Sequence, residues 1–387
     1  MIRKGNLFSK ICDLDNLYLA HKNASKGKGH YFQVRRVNRN VGRHLKGIRR
    51  MLLDKTYRVG DYKIEIINDK GKERELYKLP YYPDRIIQWA IMLQIETILS
   101  KNMCYHTCAS IKGRGINRAM RLSKKYTKKA VECKYCLKFD IKKFYPSINK
   151  SILKSLLRTK FKDRDLLELL DLIIDSYPHE RGLPIGSYLS QFLANFYLSK
   201  FDHWLKEDLR LRYVVRYMDD ICIYSDNKPH LHEVLAKIKD YLENKLDLRL
   251  KENYQIFPTR VRGVDFVGYR FFGDFTLLRK SILKNMKRKF RAIDKRMPRV
   301  ANSDHHRNSF YSYLGFLIPA NTRRFWDKWC KGLDFLFRWF QGKEPTEFKE
   351  NLKRKRKRAR RVQNNKGAFW ASSPSDEIIK ETTLIEP

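Results

Sequence analysis

The stretch from Arg212 to Ser225, RYVVRYMDDICIYS, places two aspartates, Asp219 and Asp220, between two short runs rich in Val, Ile and Tyr. Apolar residues alternate along both runs as they do in half-buried strands, which predicts a hairpin with the aspartates near its turn. A two-residue hairpin turn favours Asn-Gly or Asp-Gly, and this one has no glycine. Two adjacent carboxylates repel each other unless a cation lies between them, which indicates a metal site. An isolated Asp-Asp pair also fits a solvated turn, so companion residues elsewhere must decide.

The charge of the chain indicates a polyanionic partner. Its 387 residues include 83 Lys and Arg against 42 Asp and Glu, a formal net charge of +41. Such an excess on a globular chain favours nucleic acid. The excess is uneven, because residues 278–361 carry 26 basic and 7 acidic side chains.

A membrane surface also attracts basic chains, but no run approaches the ~18 apolar residues of a membrane-spanning helix. The N-terminal MIRKGNLFSKICD has too few apolar residues for a signal peptide. We therefore expect a cytoplasmic protein with no membrane partner.

The seven cysteines allow two interpretations. Cys104 with Cys108 and Cys133 with Cys136 form two pairs, which is one arrangement of a four-thiolate zinc site. In the segment ECKYCLKFDI, however, residues alternate as in a strand, so Cys133 and Cys136 would point to opposite faces. Buried, small hydrophobic side chains are the better interpretation, and an odd number without a secretion signal does not favour disulfides.

Hydrophobic periodicity predicts an α+β chain. Residues 1–60 are basic and helix-forming, and residues 62–82 have the pattern of two strands about the turn NDKGKE. Further helices are predicted at 84–100, 149–161, 165–175, from about Ser187 onward, at 229–245 and beyond Leu278. Further strands are predicted at 131–141, on both sides of the Asp-Asp turn, at 246–250 and within 263–273. This order favours an antiparallel sheet with helices on one face.

A third carboxylate, Asp140, ends the apolar strand in LKFDIKKFYPSI. If that strand lies beside the hairpin, Asp140, Asp219 and Asp220 converge at the ends of adjacent strands. Two-metal phosphoryl transfer needs such carboxylates, which hold two Mg²⁺ ions about 3.5–4 Å apart, one activating a 3′-hydroxyl and one stabilising pyrophosphate. Mg²⁺ prefers hard oxygen ligands, so the aspartates suit it and the cysteines do not.

Four segments together resemble the motifs of reverse transcriptases. In chain order, FDIKKFYPSI, GLPIGSYLSQFLANFYL, YMDD and FVGY are similar to motifs A, B, C and E of that family. The resemblance extends from about Lys72 to Trp339. It implies an α+β right-hand polymerase with an antiparallel-sheet palm, fingers and a helical thumb.

The resemblance implies five regions along the chain. They are a basic N-terminal helical region (1–60), fingers (61–130), a palm (131–277) with fingers helices inserted at about 150–180, a helical thumb (278–342), and a basic run with a flexible tail (343–387). The run KRKRKRARR, Lys353 to Arg361, has the composition of a solvated, disordered arm that can still bind RNA.

Individual roles also follow from the resemblance. Asp140 and Asp219 are implied metal ligands, supported by Asp220 and with Ile141 beside them, for two Mg²⁺ ions or Mn²⁺ as a substitute. The implied nucleotide-binding residues are Lys72, Arg74, Tyr145, Ile185, Gly186 and Gln191, and the implied primer grip is Phe266, Val267, Gly268 and Tyr269. The implied partners are template RNA, a DNA or RNA primer and dNTPs.

The motif D region departs from the family pattern. Many relatives carry a lysine there that is thought to protonate pyrophosphate, and the matching position here is Tyr254. Lys251 lies nearby and is the candidate general acid. The alternative is an ordinary surface lysine at a strand end.

Within the family, the chain most resembles the reverse transcriptases of diversity-generating retroelements. Ile185 stands before Gly186 and Gln191 follows Ser190 in motif B, where most relatives have Gln-Gly and Ser-Pro. The segments at 111–119, 266–281 and 311–322 carry the same resemblance. It implies a bacterial or phage-encoded enzyme of mutagenic retrohoming that copies a template-repeat RNA with errors opposite adenine, alongside a small basic accessory protein. Reverse transcriptases of bacterial antiviral defence share parts of these motifs and are the alternative.

Two other classes of protein compete with this interpretation. A viral-type RNA-dependent RNA polymerase shares the palm carboxylates, but it tends to have a polar residue where this chain has Tyr145, whose ring would collide with a ribose 2′-hydroxyl. A non-catalytic RNA-binding protein would use the positive charge alone. The presence of all three carboxylates together disfavours that second class.

Overall fold

The computed structural model describes residues 3–69, 71–295 and 304–329. These fall into two units, with the division between Pro258 and Thr259. The first unit contains the Asp-Asp hairpin. Each unit is described by itself below.

The N-terminal region is helical, as its periodicity predicts. Its four helices are α1 (Phe8–Ile11), α2 (Leu14–Ser25), α3 (Phe32–Arg39) and α4 (Val41–Leu53). The side chains of Asp13 and Asn40 cap α2 and α4 by accepting hydrogen bonds from backbone N–H groups of the first turn. On α4, Leu45, Ile48 and Leu52 are buried in the core of the unit.

A two-stranded antiparallel hairpin follows, made of β1 (Lys63–Asp69) and β2 (Lys72–Lys78). Its strands extend further than the sequence predicts, because Asp69 pairs directly with Lys72. Gly71, immediately before β2, adopts a left-handed backbone. Ile64 and Ile66 lie exposed on the hairpin, as expected for a two-stranded sheet that is not covered on both faces.

Two helices follow the hairpin, α5 (Ile86–Ser100) and α6 (Gly115–Lys128), with a wide turn at Tyr81–Arg85 before α5. Most apolar residues of α5 are completely buried. A helix that is apolar on most of its circumference belongs in the interior, and α5 packs against α2 and α10 (Tyr188–Tyr197).

A four-stranded antiparallel sheet forms the centre of the first unit, which confirms the predicted α+β class. Its strands are β3 (Tyr135–Asp140), β4 (Tyr213–Tyr217), β5 (Asp220–Ser225) and β6 (Gln255–Pro258), in the order β4-β5-β3-β6. The predicted strand at 131–141 is shorter, because a turn occupies residues 131–133. The predicted strand at 246–250 is wrong: Leu250 makes an isolated bridge to Ile141, and β6 forms the edge instead.

Both faces of this sheet are covered, which differs from the predicted half-buried pattern. Ile221 and Ile223 point into the main core. Tyr213 and Tyr224, a cross-strand pair, lie on the opposite face, where the ring of Tyr126 from α6 packs against both. The expectation of helices on one face is therefore wrong, because α6 also covers the second face.

Five helices connect β3 to β4: α7 (Phe144–Ser147), α8 (Lys150–Arg158), α9 (Arg164–Asp175), α10 and α11 (Ser199–Glu207). The predicted start near Ser187 is confirmed, since its hydroxyl caps α10. The predicted single long helix is interrupted at Leu198, so that α10 and α11 are separate. After β5, α12 (Lys228–Leu246) packs against β3, β5 and β6.

The second unit begins with the short helix α13 (Thr259–Arg262) and a three-stranded antiparallel sheet of β7 (Val264–Phe266), β8 (Tyr269–Phe271) and β9 (Thr276–Leu278). Three helices follow, α14 (Lys280–Asp294), α15 (Asp304–Leu317) and α16 (Arg323–Trp329). Phe290 of α14 packs against Phe310 of α15. The remainder of the predicted thumb, the run at 353–361 and the tail lie outside the described residues. No helix among the described residues is long and apolar enough to cross a membrane.

Candidate active site

Strand register brings the three predicted carboxylates together. Asp140, the last residue of β3, lies directly opposite Asp220, the first residue of β5. Asp219 occupies the hairpin turn beside them, and its carbonyl accepts a hydrogen bond from the Ile141 N–H at 3.3 Å. The Lys251 N–H donates to the Asp140 carbonyl at 2.9 Å. The ends of β3 and of the hairpin are therefore tied together by backbone contacts.

The hairpin turn is tight although it contains no glycine. Tyr217 pairs with Asp220, which leaves Met218 and Asp219 as the two turn residues. Met218 adopts φ +55°, a left-handed conformation that costs a non-glycine residue free energy. Such a conformation persists only where surrounding contacts hold it.

Burial and mutual repulsion dominate the electrostatics of the carboxylates. The pKa of Asp219 is raised by burial and by the charge of Asp140, while Lys251 and Arg74 act in the opposite direction. Burial raises the pKa of Asp220 to about 6, although Lys138 counteracts this rise. Their charged forms are thus disfavoured, and a bound cation would relieve that penalty.

Two lysines contact the carboxylates. The amine of Lys138 lies 2.5 Å from Oδ1 of Asp220, and the amine of Lys251 lies 3.3 Å from Oδ2 of Asp140. Lys138 is two residues before Asp140 and therefore on the same sheet face. The sequence analysis did not predict a role for Lys138, although a lysine within the apolar strand β3 indicates a nearby acidic partner.

These residues fit a divalent cation by donor chemistry. Aspartate carboxylates and the Ile141 carbonyl supply hard oxygens, and Asp140 and Asp219 repel each other. Among the described residues, however, no three His, Cys, Asp or Glu side chains already form a cluster that could hold a metal. The two cysteine pairs, Cys104 with Cys108 and Cys133 with Cys136, form no metal-binding cluster among these residues either. Cys108, Cys133 and Cys136 are buried, as expected for small hydrophobic side chains, whereas Cys104 is half-buried.

Tyr145 lies close to the carboxylates. It is half-buried in α7, and burial together with the charge of Asp219 raises the pKa of its hydroxyl. Its carbonyl accepts a hydrogen bond from the Leu183 N–H at 3.0 Å. Gly182, at φ +96°, permits this contact, because a Cβ atom there would lie 2.9 Å from the Tyr145 carbonyl oxygen.

The loop before α10 contacts the β1–β2 hairpin. The Ile185 carbonyl accepts a hydrogen bond from the Tyr77 N–H at 3.2 Å, and Gly186 follows with φ +118°, a conformation that glycine tolerates. Gln191 lies one turn into α10, where its Oε1 accepts a hydrogen bond from the Ser110 hydroxyl at 3.3 Å. Gln191 is thus already engaged by a neighbouring loop.

A cleft between this loop and the hairpin has both cationic and aromatic walls. Lys78 and Arg85 line it together with Trp89 and Tyr188, whose rings are stacked with centroids 4.9 Å apart. Cations beside aromatic faces suit nucleic acid, whose phosphates and bases they can contact. Sequence reasoning did not identify this cleft.

Two predicted nucleotide-binding residues, Lys72 and Arg74, lie on β2 of the hairpin. Arg74 lies exposed on β2, and its positive charge acts on Asp219. Lys72 begins β2, and its side chain lies outside the described residues.

The predicted primer grip belongs to the second unit. Phe266 ends β7 and Tyr269 begins β8, so Val267 and Gly268 form the turn, both with left-handed backbones. Phe266 and Tyr269 are buried, and the Tyr269 hydroxyl donates to the Phe316 carbonyl at 3.1 Å.

An acid-free basic surface lies within the N-terminal region, which was predicted to be basic. Residues 16–53 contain ten Lys and Arg and no Asp or Glu, and nine of these basic side chains are exposed. The exposed rings of Tyr18, Tyr31 and Phe32 accompany them. The signal was available in the sequence as a local charge count.

Comparison with known proteins gives one family. A family model described as reverse transcriptase (RNA-dependent DNA polymerase) matches residues 65–271, more than half of the chain. Nuclear intron maturase 4, mitochondrial, of Arabidopsis thaliana is 29% identical over 147 residues, covering 35% of this chain and 18% of that protein. The putative COX1/OXI3 intron 2 protein of Saccharomyces cerevisiae is 23% identical over 184 residues, covering 44% of this chain and 21% of that protein. The chain thus spans about a fifth of the length of these curated relatives.

Solved structures of telomerase are also similar. Telomerase from Candida albicans with a fragment of telomeric RNA has a TM-score of 0.46 and 11% identity, covering 72% of this chain and 58% of that one. Apo telomerase from Candida tropicalis has a TM-score of 0.46 and 14% identity, covering 70% and 60%. The family match spans β1 to β8 and includes all three carboxylates. The chain belongs to the reverse transcriptase family and has the right-hand polymerase fold of that family.

Proposed function

We propose that the chain is an RNA-directed DNA polymerase that adds deoxynucleotides to a primer 3′-hydroxyl. The observation that carries this proposal is the register that sets Asp140 opposite Asp220, with Asp219 in the adjoining turn. The test is extension of a DNA or RNA primer on an RNA template with dNTPs and Mg²⁺, with Asp219→Asn as the inactive control.

Asp140 and Asp219 are the proposed metal ligands, with Asp220 in support and the Ile141 carbonyl as a further oxygen donor. When bound, two Mg²⁺ ions lower the pKa of the primer hydroxyl and stabilise the pyrophosphate leaving group, and Mn²⁺ is an expected substitute. The carboxylates orient these ions, and burial strengthens their interaction with them. Lys251, beside Asp140, is the candidate donor of a proton to pyrophosphate.

The surrounding residues bind the substrates. We assign Tyr145 to the exclusion of ribose and Lys72 and Arg74 to the triphosphate, for which the charge of Arg74 near Asp219 is the support. Ile185, Gly186 and Gln191 contact the nascent base pair. Phe266 to Tyr269 remain the proposed primer grip.

The proposed regions are the helical N-terminus (1–60), fingers (61–130 and about 150–180), palm (131–277), thumb (278–342) and tail (343–387). The division between Pro258 and Thr259 falls within the proposed palm. Template RNA is the proposed partner of the acid-free N-terminal surface and of the basic run at 353–361.

A finer proposal is that the enzyme serves a diversity-generating retroelement and errs opposite template adenine. The motif B residues Ile185 and Gln191 support it. A second candidate is an intron maturase, which the name of one curated relative favours, and the other relative is named as an intron protein. The DNA flanking the gene distinguishes them: a nearby imperfect repeat pair that differs at adenines favours the retroelement, and flanking intron sequence favours the maturase.

A further inference from the structure

Strand β4 contains a buried charge, one residue before its end, that the proposed chemistry does not use. Arg216 is completely buried, and so is its partner, Asp202 of α11. The two side chains form a bidentate ion pair, with Nε 2.7 Å from Oδ1 and Nη2 2.5 Å from Oδ2. A buried charged residue in an otherwise apolar strand needs such a partner.

The remaining donors of Arg216 reach two other segments. Nη1 donates to Oδ1 of Asn195 and to the carbonyl of Met218, each at 3.0 Å, and Nη2 contacts the Asn195 carbonyl at 3.4 Å. A guanidinium has five N–H groups, so all five are engaged. The bond to Met218 holds the residue that adopts the left-handed conformation immediately before Asp219.

Asp202 is anchored independently of Arg216. The Thr107 hydroxyl donates to Oδ2 at 2.6 Å, and Nε2 of His106 lies 3.2 Å from Oδ1. Burial disfavours the charged carboxylate, but Arg216 and His106 outweigh burial, so the pKa of Asp202 lies below its usual range. The Asp202 carboxylate is therefore ionised and held in place, and it anchors the guanidinium of Arg216.

Stability alone does not account for this arrangement. A buried ion pair is often no more stabilising than well-packed apolar side chains of similar volume, because desolvation offsets the attraction. A fully satisfied buried network does impose one conformation on the groups that it contacts. The group contacted here is the backbone of the Asp-Asp turn.

We propose that Arg216 is a positioning residue, whose guanidinium fixes the turn carbonyl of Met218 and thereby keeps the Asp219 carboxylate near Asp140 in a cation-binding arrangement. The inference rests on the proposed polymerase function. Asp202 and Asn195 hold the guanidinium, and the bond to Met218 transmits that rigidity to the turn.

The test compares Arg216→Lys with Thr107→Val. Lysine keeps a positive charge for Asp202 but has no second nitrogen for Met218. Thr107→Val is the matched control, because it removes a buried hydrogen bond to Asp202 and leaves the Arg216 contact with the turn intact. Five quantities are measured on the whole chain: Tm, the affinity for primer–template, the Mn²⁺ affinity by electron paramagnetic resonance with bound primer–template, and kcat and KM for dNTP.

Arg216→Lys is expected to weaken Mn²⁺ binding and lower kcat by about 10–100-fold, the usual cost of losing a residue that orients a metal ligand. The KM for dNTP and the affinity for primer–template should stay at wild-type values. Thr107→Val should lower Tm yet keep wild-type Mn²⁺ affinity and kcat.

Two results would overturn the inference while leaving the polymerase proposal intact: wild-type Mn²⁺ affinity in folded Arg216→Lys, or losses in both variants that simply follow Tm. If Arg216→Lys does not fold, Asn195→Ala takes its place, because it removes one hydrogen-bond partner of Nη1 and keeps the ion pair with Asp202. Weaker Mn²⁺ binding in Asn195→Ala is then expected, and wild-type Mn²⁺ affinity would overturn the inference. A wild-type protein that makes no DNA would instead contradict the proposed function itself.

Discussion

The amine of Lys138 lies 2.5 Å from Oδ1 of Asp220, on the same sheet face as Asp140. The protein thus supplies its own counter-charge to Asp220. Asp219 experiences the charge of Asp140 in addition to burial. The three aspartates are therefore electrostatically unequal, although the sequence presents two of them as a pair.

We expect the three aspartates to differ in their importance for DNA synthesis. Asp140→Asn and Asp219→Asn keep side-chain size but remove the charge that binds the ions, so activity should fall by at least about 10³-fold. Asp220→Asn should cost less, because Asp220 only supports the proposed metal ligands and its carboxylate is bound by the Lys138 amine at 2.5 Å. Primer extension in Mg²⁺ measures the three losses, with Tm as the control for folding. Near-normal synthesis by Asp140→Asn or Asp219→Asn would refute the metal assignment.

Tyr145 should exclude ribonucleotides. The charge of Asp219 acts on its hydroxyl, which supports a position near the proposed metal ligands. Tyr145→Ala should open space where a 2′-hydroxyl would otherwise collide, and the mutant should incorporate rNTPs. Tyr145→Phe keeps the ring and should retain the selectivity, while Phe144→Leu controls for loss of packing in α7. The measurement is the ratio of kcat/KM for dNTP and rNTP. Equal loss for both sugars in Tyr145→Ala would show that the residue only packs.

Arg74 should contact the incoming triphosphate. Its charge already acts on Asp219, and a guanidinium forms strong charge-assisted hydrogen bonds with phosphate. Arg74→Ala should therefore raise the KM for dNTP more than it weakens RNA binding. Lys63→Ala, on the other strand of the same hairpin, is the control for general loss of charge. The reverse result would assign Arg74 to the template path.

The acid-free N-terminal surface should bind RNA through its phosphates. Replacing the exposed Arg35, Arg36 and Arg39 of α3 with Gln should lower the slope of log affinity against log salt by about 2–3 units, because each lost contact releases one counterion fewer. Arg164→Gln, an exposed arginine paired with Glu168, is the control for one lost surface charge. An unchanged slope would mean that α3 is merely solvated or faces a protein partner.

Ile185 should lower fidelity. It provides no side-chain amide to hydrogen-bond the nascent base pair, so discrimination depends more on base pairing itself. Sequencing of cDNA from a defined RNA should show errors concentrated at template adenines, and Ile185→Gln should change that spectrum. Ile152→Gln, a half-buried isoleucine on α8, is the matched control. Errors spread evenly over the four bases would contradict the retroelement proposal.

Local sequence was sufficient for the elements that carry the chemistry. Alternation of apolar residues predicted the hairpin at Asp219 and Asp220, and Ser187 marked the start of α10, because strand period and helix capping depend on nearby residues. The order of four motifs identified the family, which the match over residues 65–271 confirms.

Boundaries that depend on distant partners were predicted less well. The predicted strand at 246–250 is only an isolated bridge, and β6 pairs with β3 instead. Leu198 interrupts a pattern that reads as one continuous helix. For the strand, pairing between β3 and the distant β6 overrides the local preference of the 246–250 segment.

Residue types, their order and their charge were determined by the sequence alone: three aspartates, the glycines at 182 and 186, and a basic stretch at 16–53 without Asp or Glu. Only the tertiary structure decided which lysine contacts which aspartate. Strand register places Lys138 beside Asp220, and the isolated bridge between Ile141 and Leu250 brings Lys251 to Asp140. The same is true of Arg216, whose five donors bond to groups from α10, α11 and the turn. Hydrogen bonds and ion pairs act over a few ångströms in space, and their partners here are separated along the chain by as many as 111 residues.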